Sequence, residues 1–254
     1  MMDNMLDFTG KVALITGAAR GLGKLLAQEL GARGAHLVLT DILSEQLNET
    51  VESLTHQGFK TVALAGDITD ESHSEALVKL ATETFGQLDI AVNNAGKAPD
   101  MMPLHLTSEQ TMDTQFAINV KGVQFGMKTQ LTQMLAQNSG VILNVSSMAG
   151  LGGAPTISSY CAAKHAVVGL TKSAAVEYAR NNIRVNAVCP FFTLTNMVTD
   201  MSDSEGQKNL ARTAPMKRLA EPKEIVATML LLLSPANTYM TGQCIAIDGG
   251  VSAV

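Results

Sequence analysis

Cysteine is scarce in this chain, and concentrated positive charge is absent. The three cysteines, Cys161, Cys189 and Cys244, lie far apart and form no CxxC pair, which argues against a disulfide framework and a zinc site. A reducing cytoplasm is the expected compartment. Lys and Arg number 18 against 23 Asp and Glu, a formal net charge of -5, so no basic face awaits a polyanion and nucleic acid is not an expected partner. The apolar run at 229–233 is far shorter than the roughly 20 residues that span a bilayer. Residues 1–7 are acidic and lack a basic stretch followed by a long apolar one, so neither membrane nor secretory leader is expected. The histidines, His36, His56, His73, His105 and His165, show no paired spacing, and no metal is expected. No repeat, low-complexity tract or linker divides the 254 residues, which are read as one domain, 1–254.

What the chain does have is a core, with 46% hydrophobic residues, and a rhythm. Short β-branched runs at 12–15, 37–40, 61–64, 90–92, 141–145, 184–188 and 244–247 predict strands. Between them, helical periodicity predicts a first helix with Leu22, Leu25, Leu26 and Leu30 on one face, then helices at 44–57, 71–85, 108–136, 160–179 and 222–233. Strands separated by helices pair in parallel with both sheet faces covered, so the expected class is α/β, a doubly wound seven-stranded parallel sheet. The least regular stretch, 190–215, reads as a substrate-binding loop.

The first strand runs into Thr16-Gly17-Ala18-Ala19-Arg20-Gly21-Leu22-Gly23 and then a helix. Exposed N–H groups and the helix dipole favour an anion there, and glycine lets backbone approach a pyrophosphate closely; the competing reading is a tight turn that needs glycine for packing alone. Asp41 ends the second strand, where a carboxylate accepts from ribose hydroxyls and repels a 2′-phosphate, which favours NAD over NADP. A helix-capping aspartate before Ser44 is the plainer alternative. Arg20 weighs towards NADP, whereas Ile42 offers no second basic group.

Tyr160 and Lys164 stand one helical turn apart, on one face, in a chain with only three tyrosines. A phenol can protonate a developing alkoxide, and its phenolate can take an alcohol proton. A free phenol titrates near pH 10, so a neighbouring positive charge such as Lys164 is expected to lower that barrier. Alone, such a pair is a weak signal. It is joined in order by the glycine loop, by Asn93-Asn94-Ala95-Gly96 after the fourth strand and by Ser146-Ser147 after the fifth.

In that order the chain, from Lys11 to Asp248-Gly249-Gly250, resembles the classical short-chain dehydrogenases/reductases. The resemblance implies a Rossmann-like fold, a homo-oligomer with a tetramer favoured over a dimer, and a ketone or secondary alcohol as substrate. It implies catalytic roles for Asn119, Ser147, Tyr160 and Lys164, with Ser147 chosen over Ser146 because it precedes Tyr160 by 13 residues (160 minus 147). Lys164 would also hold the nicotinamide ribose, and Asn119 would help anchor a water relay. Asp67 and Ile68 match an adenine-contacting pair. Asn94, Ala95 and Gly96 line the cofactor, Asn93 braces the sheet, and Pro190, Thr193 and Thr195 complete the cofactor set.

One departure stands out. Relatives commonly read Pro-Gly where this chain reads Pro190-Phe191-Phe192, and glycine permits conformations that phenylalanine does not. Phe191 either narrows the substrate pocket or packs beneath the loop. Met101, Met102, Met148, Met197 and Met201 border the expected site, where flexible apolar side chains suit an apolar substrate or serve as plain packing. Cys161, beside Tyr160, reads as a small packed thiol. Two other functions compete with NAD(H)-dependent alcohol–ketone interconversion: reduction of a 3-oxoacyl group on an acyl carrier protein with NADPH, and dinucleotide binding without turnover.

Overall fold

The computed structural model describes residues 5–200 and 203–253. Strands β1 (Val12–Thr16), β2 (His36–Thr40), β3 (Thr61–Ala63), β4 (Ile90–Asn93), β5 (Gly140–Val145), β6 (Ile183–Pro190) and β7 (Cys244–Ile247) form one sheet in the order β3-β2-β1-β4-β5-β6-β7. Every pairing is parallel.

The strand runs are apolar on both faces because both faces are covered. Ala13, Ile15, Leu37, Leu39, Val92 and Leu143 pack with α1 (Gly21–Gly31), α2 (Ser44–His56) and α9 (Pro222–Leu233). The alternate residues Val12, Leu14, Val38, Ala91 and Ile142 pack with α3 (Glu71–Phe85), α5 (Gly122–Gln137) and α6 (Ser158–Tyr178). This period-two alternation sends the apolar residues on the two sides of the strands into two separate cores. The chain winds outward from β1 through β2 to β3, then returns to place β4 on the other side of β1. The carboxyl ends of β1 and β4 therefore flank the switch point, where connections diverge and leave a crevice.

Two expected elements differ in the structure. The single helix expected over 108–136 is α4 (Glu109–Phe116), a π-helical segment (Ala117–Lys121) and then α5. A π turn shifts the hydrogen-bond register, which hydropathy periodicity does not report. The stretch 190–215 is not a plain loop: it contains α7 (Asn196–Thr199), a single turn that buries only Val198, and α8 (Ser204–Thr213), which is largely polar and buries no residue. Met201 lies outside the described residues.

Between the sheet and its second layer runs a buried polar network. Asn93 Nδ2 donates to Gln130 Oε1 at 3.1 Å and to Asn144 Oδ1 at 2.9 Å, and Gln130 Nε2 returns a bond to Asn93 Oδ1 at 2.9 Å. Asn144 Nδ2 donates to Thr171 Oγ1 at 2.9 Å, tying β4 and β5 to α5 and α6. Stranding a buried polar group costs about 1–3 kcal/mol. Asn144→Ala should accordingly lower the thermal midpoint by several degrees, at about 2–4 °C per kcal/mol for a chain of this size. An unchanged midpoint in a calorimetric scan would show that the network contributes no stability.

Candidate active site

The crevice at the switch point is held closed by one hydroxyl. Thr16 Oγ1 accepts from the backbone N–H groups of Asn94 and Ala95, both at 3.0 Å. Asn94 Nδ2 answers by donating to the carbonyls of Thr16 at 2.9 Å and Gly17 at 3.0 Å. The loop after β1 fits against β4 so closely that a Cβ on Gly17, whose φ is +66°, would lie 2.8 Å from Asn94 Nδ2. A Cβ on Gly23 would lie 2.1 Å from the Gly17 carbonyl oxygen.

Gly21 differs. With φ at +60°, it has room for a Cβ, which would make only ordinary contact with Thr195 at 3.9 Å. Arg20, at the helix N-cap, makes no side-chain cap, so no side chain of its own occupies the amide end of α1. A glycine-lined gap between unfilled helix amides and Thr195 suits a pyrophosphate, and the residues present fit a dinucleotide.

Asp41 borders this gap. Its Oδ2 accepts from Ala19 N at 3.0 Å and its Oδ1 from Leu43 N at 3.1 Å, so the carboxylate is fixed by two backbone donors. It serves as a turn aspartate, and a carboxylate still has about two acceptor sites to spare after two such bonds. Ile42 beside it is exposed. Arg20 extends to Asp200, with 3.4 Å between Nη1 and Oδ2, linking the phosphate loop to the end of α7. Asp67 is exposed and accepts from Thr69 N at 2.8 Å, while Ile68 packs over Gly122 at the start of α5.

The reactive groups gather at the ends of β4, β5 and β6. Lys164, buried on α6, donates to the Val145 carbonyl at 2.9 Å, and its Nζ lies 5.6 Å from the centre of the Tyr160 ring. The Ser147 side chain lies close enough to the Tyr160 phenol to favour its ionised form, and it accepts from Ala149 N at 3.1 Å. Ser146 is committed elsewhere, donating to the Lys164 carbonyl at 2.9 Å. Met148 follows Ser147 in a short 3-10 turn. Cys161 packs with Ala149 and Tyr160 in a small apolar cluster.

Burial governs the acid–base properties of the pair. Desolvation pushes the Tyr160 phenol up to about 12, only partly offset by the neighbouring Ser147 side chain. The same cause brings the Lys164 ammonium down to about 8. Burial is thus the largest influence on the phenol in the chain taken alone.

Asn119 lies in the π segment, fully buried. Its Nδ2 donates to the Lys97 carbonyl at 3.1 Å and to Gln115 Oε1 at 2.6 Å, and its Oδ1 accepts from Lys97 N at 3.0 Å. Both amide hydrogens are thus occupied. Gln115 in turn donates to the Ala98 carbonyl at 2.8 Å. Gln115 and Thr16 are residues that sequence reasoning passed over; the i, i+4 spacing of Gln115 to Asn119 was the available signal. Gly96 sits against this group, a Cβ there falling 2.7 Å from Asn119 Oδ1 and 3.6 Å from Lys164 Nζ.

After β6, Phe191 and Phe192 pack edge to face with ring centres 4.6 Å apart. They line a hollow with Ala214, Met216, Ala220 and Ile247. Thr193 is buried and donates to the Phe191 carbonyl at 3.0 Å, and Thr195 begins α7 opposite Gly21. Met197 is part-exposed on α7, and Met101 and Met102 lie beyond β4, where Met102 N donates to the Thr156 carbonyl at 2.7 Å.

Residues 17–252 match the family model described as Enoyl-(Acyl carrier protein) reductase. Cis-4-hydroxycyclohexanecarboxylate dehydrogenase of Sinomonas cyclohexanicum is 38% identical, with 97% of this chain and 98% of that protein covered. The crystal structure of a levodione reductase superposes with a TM-score of 0.93 at 37% identity, covering 97% of this chain and 99% of that one. That of an actinorhodin polyketide ketoreductase variant with NADPH gives 0.91 at 30% identity, over 96% and 98%. A parallel sheet in this order, a glycine cradle at its switch point and relatives of this kind place the chain in the short-chain dehydrogenase/reductase family of oxidoreductases.

Proposed function

We propose that this protein interconverts a secondary alcohol and a ketone with NAD(H), and that Tyr160 is its general acid and base. The observation that carries the reading is the buried contact of Tyr160 with Ser147, beside Lys164 and next to a glycine cradle. A bound nicotinamide dinucleotide supplies or accepts the hydride and, when oxidised, adds positive charge beside the phenol. Gly17, Arg20, Gly21, Leu22, Gly23, Asp41, Asp67, Ile68, Asn94, Ala95, Gly96, Pro190, Thr193 and Thr195 are the residues assigned to hold it, together with Tyr160 and Lys164.

Ser147 fixes the substrate oxygen by hydrogen bonding, which orients it and stabilises developing charge. With its pKa high, Tyr160 holds its proton at neutral pH and is ready to give it to an alkoxide; the reverse reaction requires positive charge next to the ring to release that proton. Lys164 supports this from below, and Asn119 with Gln115 holds the 97–98 segment in place. Exposed Met101, Leu104, Leu106, Leu151, Leu194 and Met197 stand on the segments that follow β4, β5 and β6, and they favour an apolar ketone or alcohol bordered by 190–215. The names of the relatives, a hydroxycyclohexanecarboxylate dehydrogenase among them, support a carbon ring bearing the reacting oxygen. Val176, 82% exposed on α6, supports a homo-oligomer with α5 and α6 at its interface.

NADPH is the competing cofactor, favoured by Arg20 and by the NADPH-bound ketoreductase neighbour. Asp41→Ala combined with Ile42→Arg should turn the ratio of kcat/KM values towards NADPH on a panel of ketones; an unchanged ratio would sink the ribose role of Asp41. Tyr160→Phe should lower kcat by about 10²–10⁴-fold while NADH still binds in a fluorescence titration. Full turnover in that variant would overturn the proposal.

Lys164 gives a test that needs no substrate. Its folded pKa of about 8 lies below an unfolded value near 10.4, so below pH 8 both states carry the proton and the buried charge costs stability in full, while between about 8 and 10.4 only the unfolded chain keeps it. That cost should be recovered as pH rises from 8 towards 10. Lys164→Met should therefore be more stable than the parent at pH 7, on the order of a few kcal/mol, with the difference closing by pH 10. A difference independent of pH in denaturant melts would show that Lys164 is not held in this desolvated state.

A further inference from the structure

The cysteines that lie far apart in sequence do not all remain apart. In the β6–β7 register Ala187 pairs with Cys244, and Cys189 pairs with Ala246. Paired residues of parallel strands share a face, and so do residues two apart, so Cys189 and Cys244 project from the same side of the sheet. It is the side on which Ile183 and Val185 of β6 pack towards α6. The two thiols lie close enough to shift one another's proton affinity. Cys189 is fully buried; Cys244, on the outer strand, is partly open to solvent.

Their surroundings connect this pair to the site. Cys189 also contacts the Ser146 side chain and the Ser147 main chain, and it lies close enough to Lys164 to affect that ammonium. Ser146 in turn donates to the Lys164 carbonyl. Cys189 is followed directly by Pro190 and Phe191, the start of the 190–215 segment. Cys161 has no part in this, being packed with Ala149 and Tyr160.

We propose that Cys189 and Cys244 are a peroxide-responsive thiol pair, whose conversion to a disulfide displaces the end of β6 from Ser147 and switches the enzyme off. Cys244 is the less enclosed residue of the two, and burial together with its neighbour pushes the Cys189 thiol up. The Cys244 thiolate attacks one peroxide oxygen, the O–O bond breaks, and hydroxide leaves to become water. The sulfenic acid so formed is attacked by the sulfur of Cys189. The S–O bond breaks, the S–S bond forms, and a second water carries off the oxygen and the thiol proton. Two thiols have lost two electrons and peroxide has gained them.

The bond length makes this a mechanical event. The cysteines sit on a diagonal of the register, two residues out of line (246 minus 244). With neighbouring strands about 4.8 Å apart and a rise of about 3.3 Å per residue, Cα atoms two residues out of line on parallel strands lie about 8 Å apart, whereas a disulfide needs roughly 4.4–6.8 Å. The strand ends must move together to form it, and Cys189 moves against Ser146 and Ser147.

The proposal rests on the active-site reading only for its consequence; the link itself is read by mass. The full-length protein, with and without NADH, is treated with hydrogen peroxide and digested without reduction. The expected result is a peptide joining Cys189 to Cys244 and a chain lighter by two hydrogens. Turnover should fall by about a hundredfold, the loss that a displacement of about 1 Å at the reacting centre produces, and return with dithiothreitol. Cys244→Ser should keep its activity in peroxide, and Cys161→Ser should be inhibited like the parent. Cys189→Ser serves as a second block to the link. Absence of the linked peptide would overturn the proposal, whether or not any substrate is turned over. A linked protein with undiminished turnover would overturn the switch.

Discussion

A parallel sheet covered on both faces can present polar chemistry only where its strands end. That constraint organises this molecule: every strand interior is divided between two apolar cores, and the candidate site is built from the residues just past the carboxyl ends of β1, β2, β4, β5 and β6. Thr16 makes the arrangement work at the switch point. Its hydroxyl satisfies two backbone donors of the neighbouring strand end, so β1 and β4 can diverge without leaving buried N–H groups unpaired. The glycine loop then closes onto Asn94 with no room for a side chain at Gly17 or Gly23, while Gly21 stays open towards Thr195.

The second layer of the sheet contains an unusual amount of buried polarity. Asn93, Gln130, Asn144 and Thr171 satisfy one another between the sheet and the helices, and Lys164 stands at the upper edge of the same layer with one carbonyl partner. The network fixes how α5 and α6 lie on β4 and β5. Lys164 and Tyr160 both project from α6, so a network that restrains this helix also restrains the spacing between phenol, ammonium and Ser147. Positional precision of this order matters because reacting groups must be held close to their productive geometry.

Much of this was legible in the residues. β-branched runs marked all seven strands, since a strand buried on both faces is apolar throughout, and glycine spacing marked the phosphate loop. What could not be read were contacts between distant positions and shifts of backbone register. Asn119 fell in an expected continuous helix because hydropathy keeps nearly the same phase across a five-residue π turn. Within 190–215, α7 is a single turn that buries only Val198 and α8 buries no residue, so neither carries the long apolar stripe of a core-facing helix. Cys189 and Cys244 are separated by 55 residues (244 minus 189), and only the placement of β7 beside β6 brings them together. The spacing of Ser147 to Tyr160 picked one serine over its neighbour, and the structure gives the two different tasks: Ser147 contacts the phenol, and Ser146 holds the helix backbone.

The energetics of the pair explain why it is so enclosed. Burial raises the phenol to about 12 and lowers the ammonium to about 8, so each group is shifted towards its neutral form. An exposed tyrosine and lysine would be easier to accommodate, but water would screen the charge that the phenol must sense. In the low-dielectric setting a single added positive charge changes the proton affinity of Tyr160 far more than it would in solvent. If Tyr160 acts as proposed, the site gives up stability in its resting state for sensitivity to the charge of what binds beside it. That exchange requires water to be excluded around Tyr160, which the small cluster of Ala149, Cys161, Ala154 and Ile157 provides on one side. The other side is left for substrate and cofactor to close.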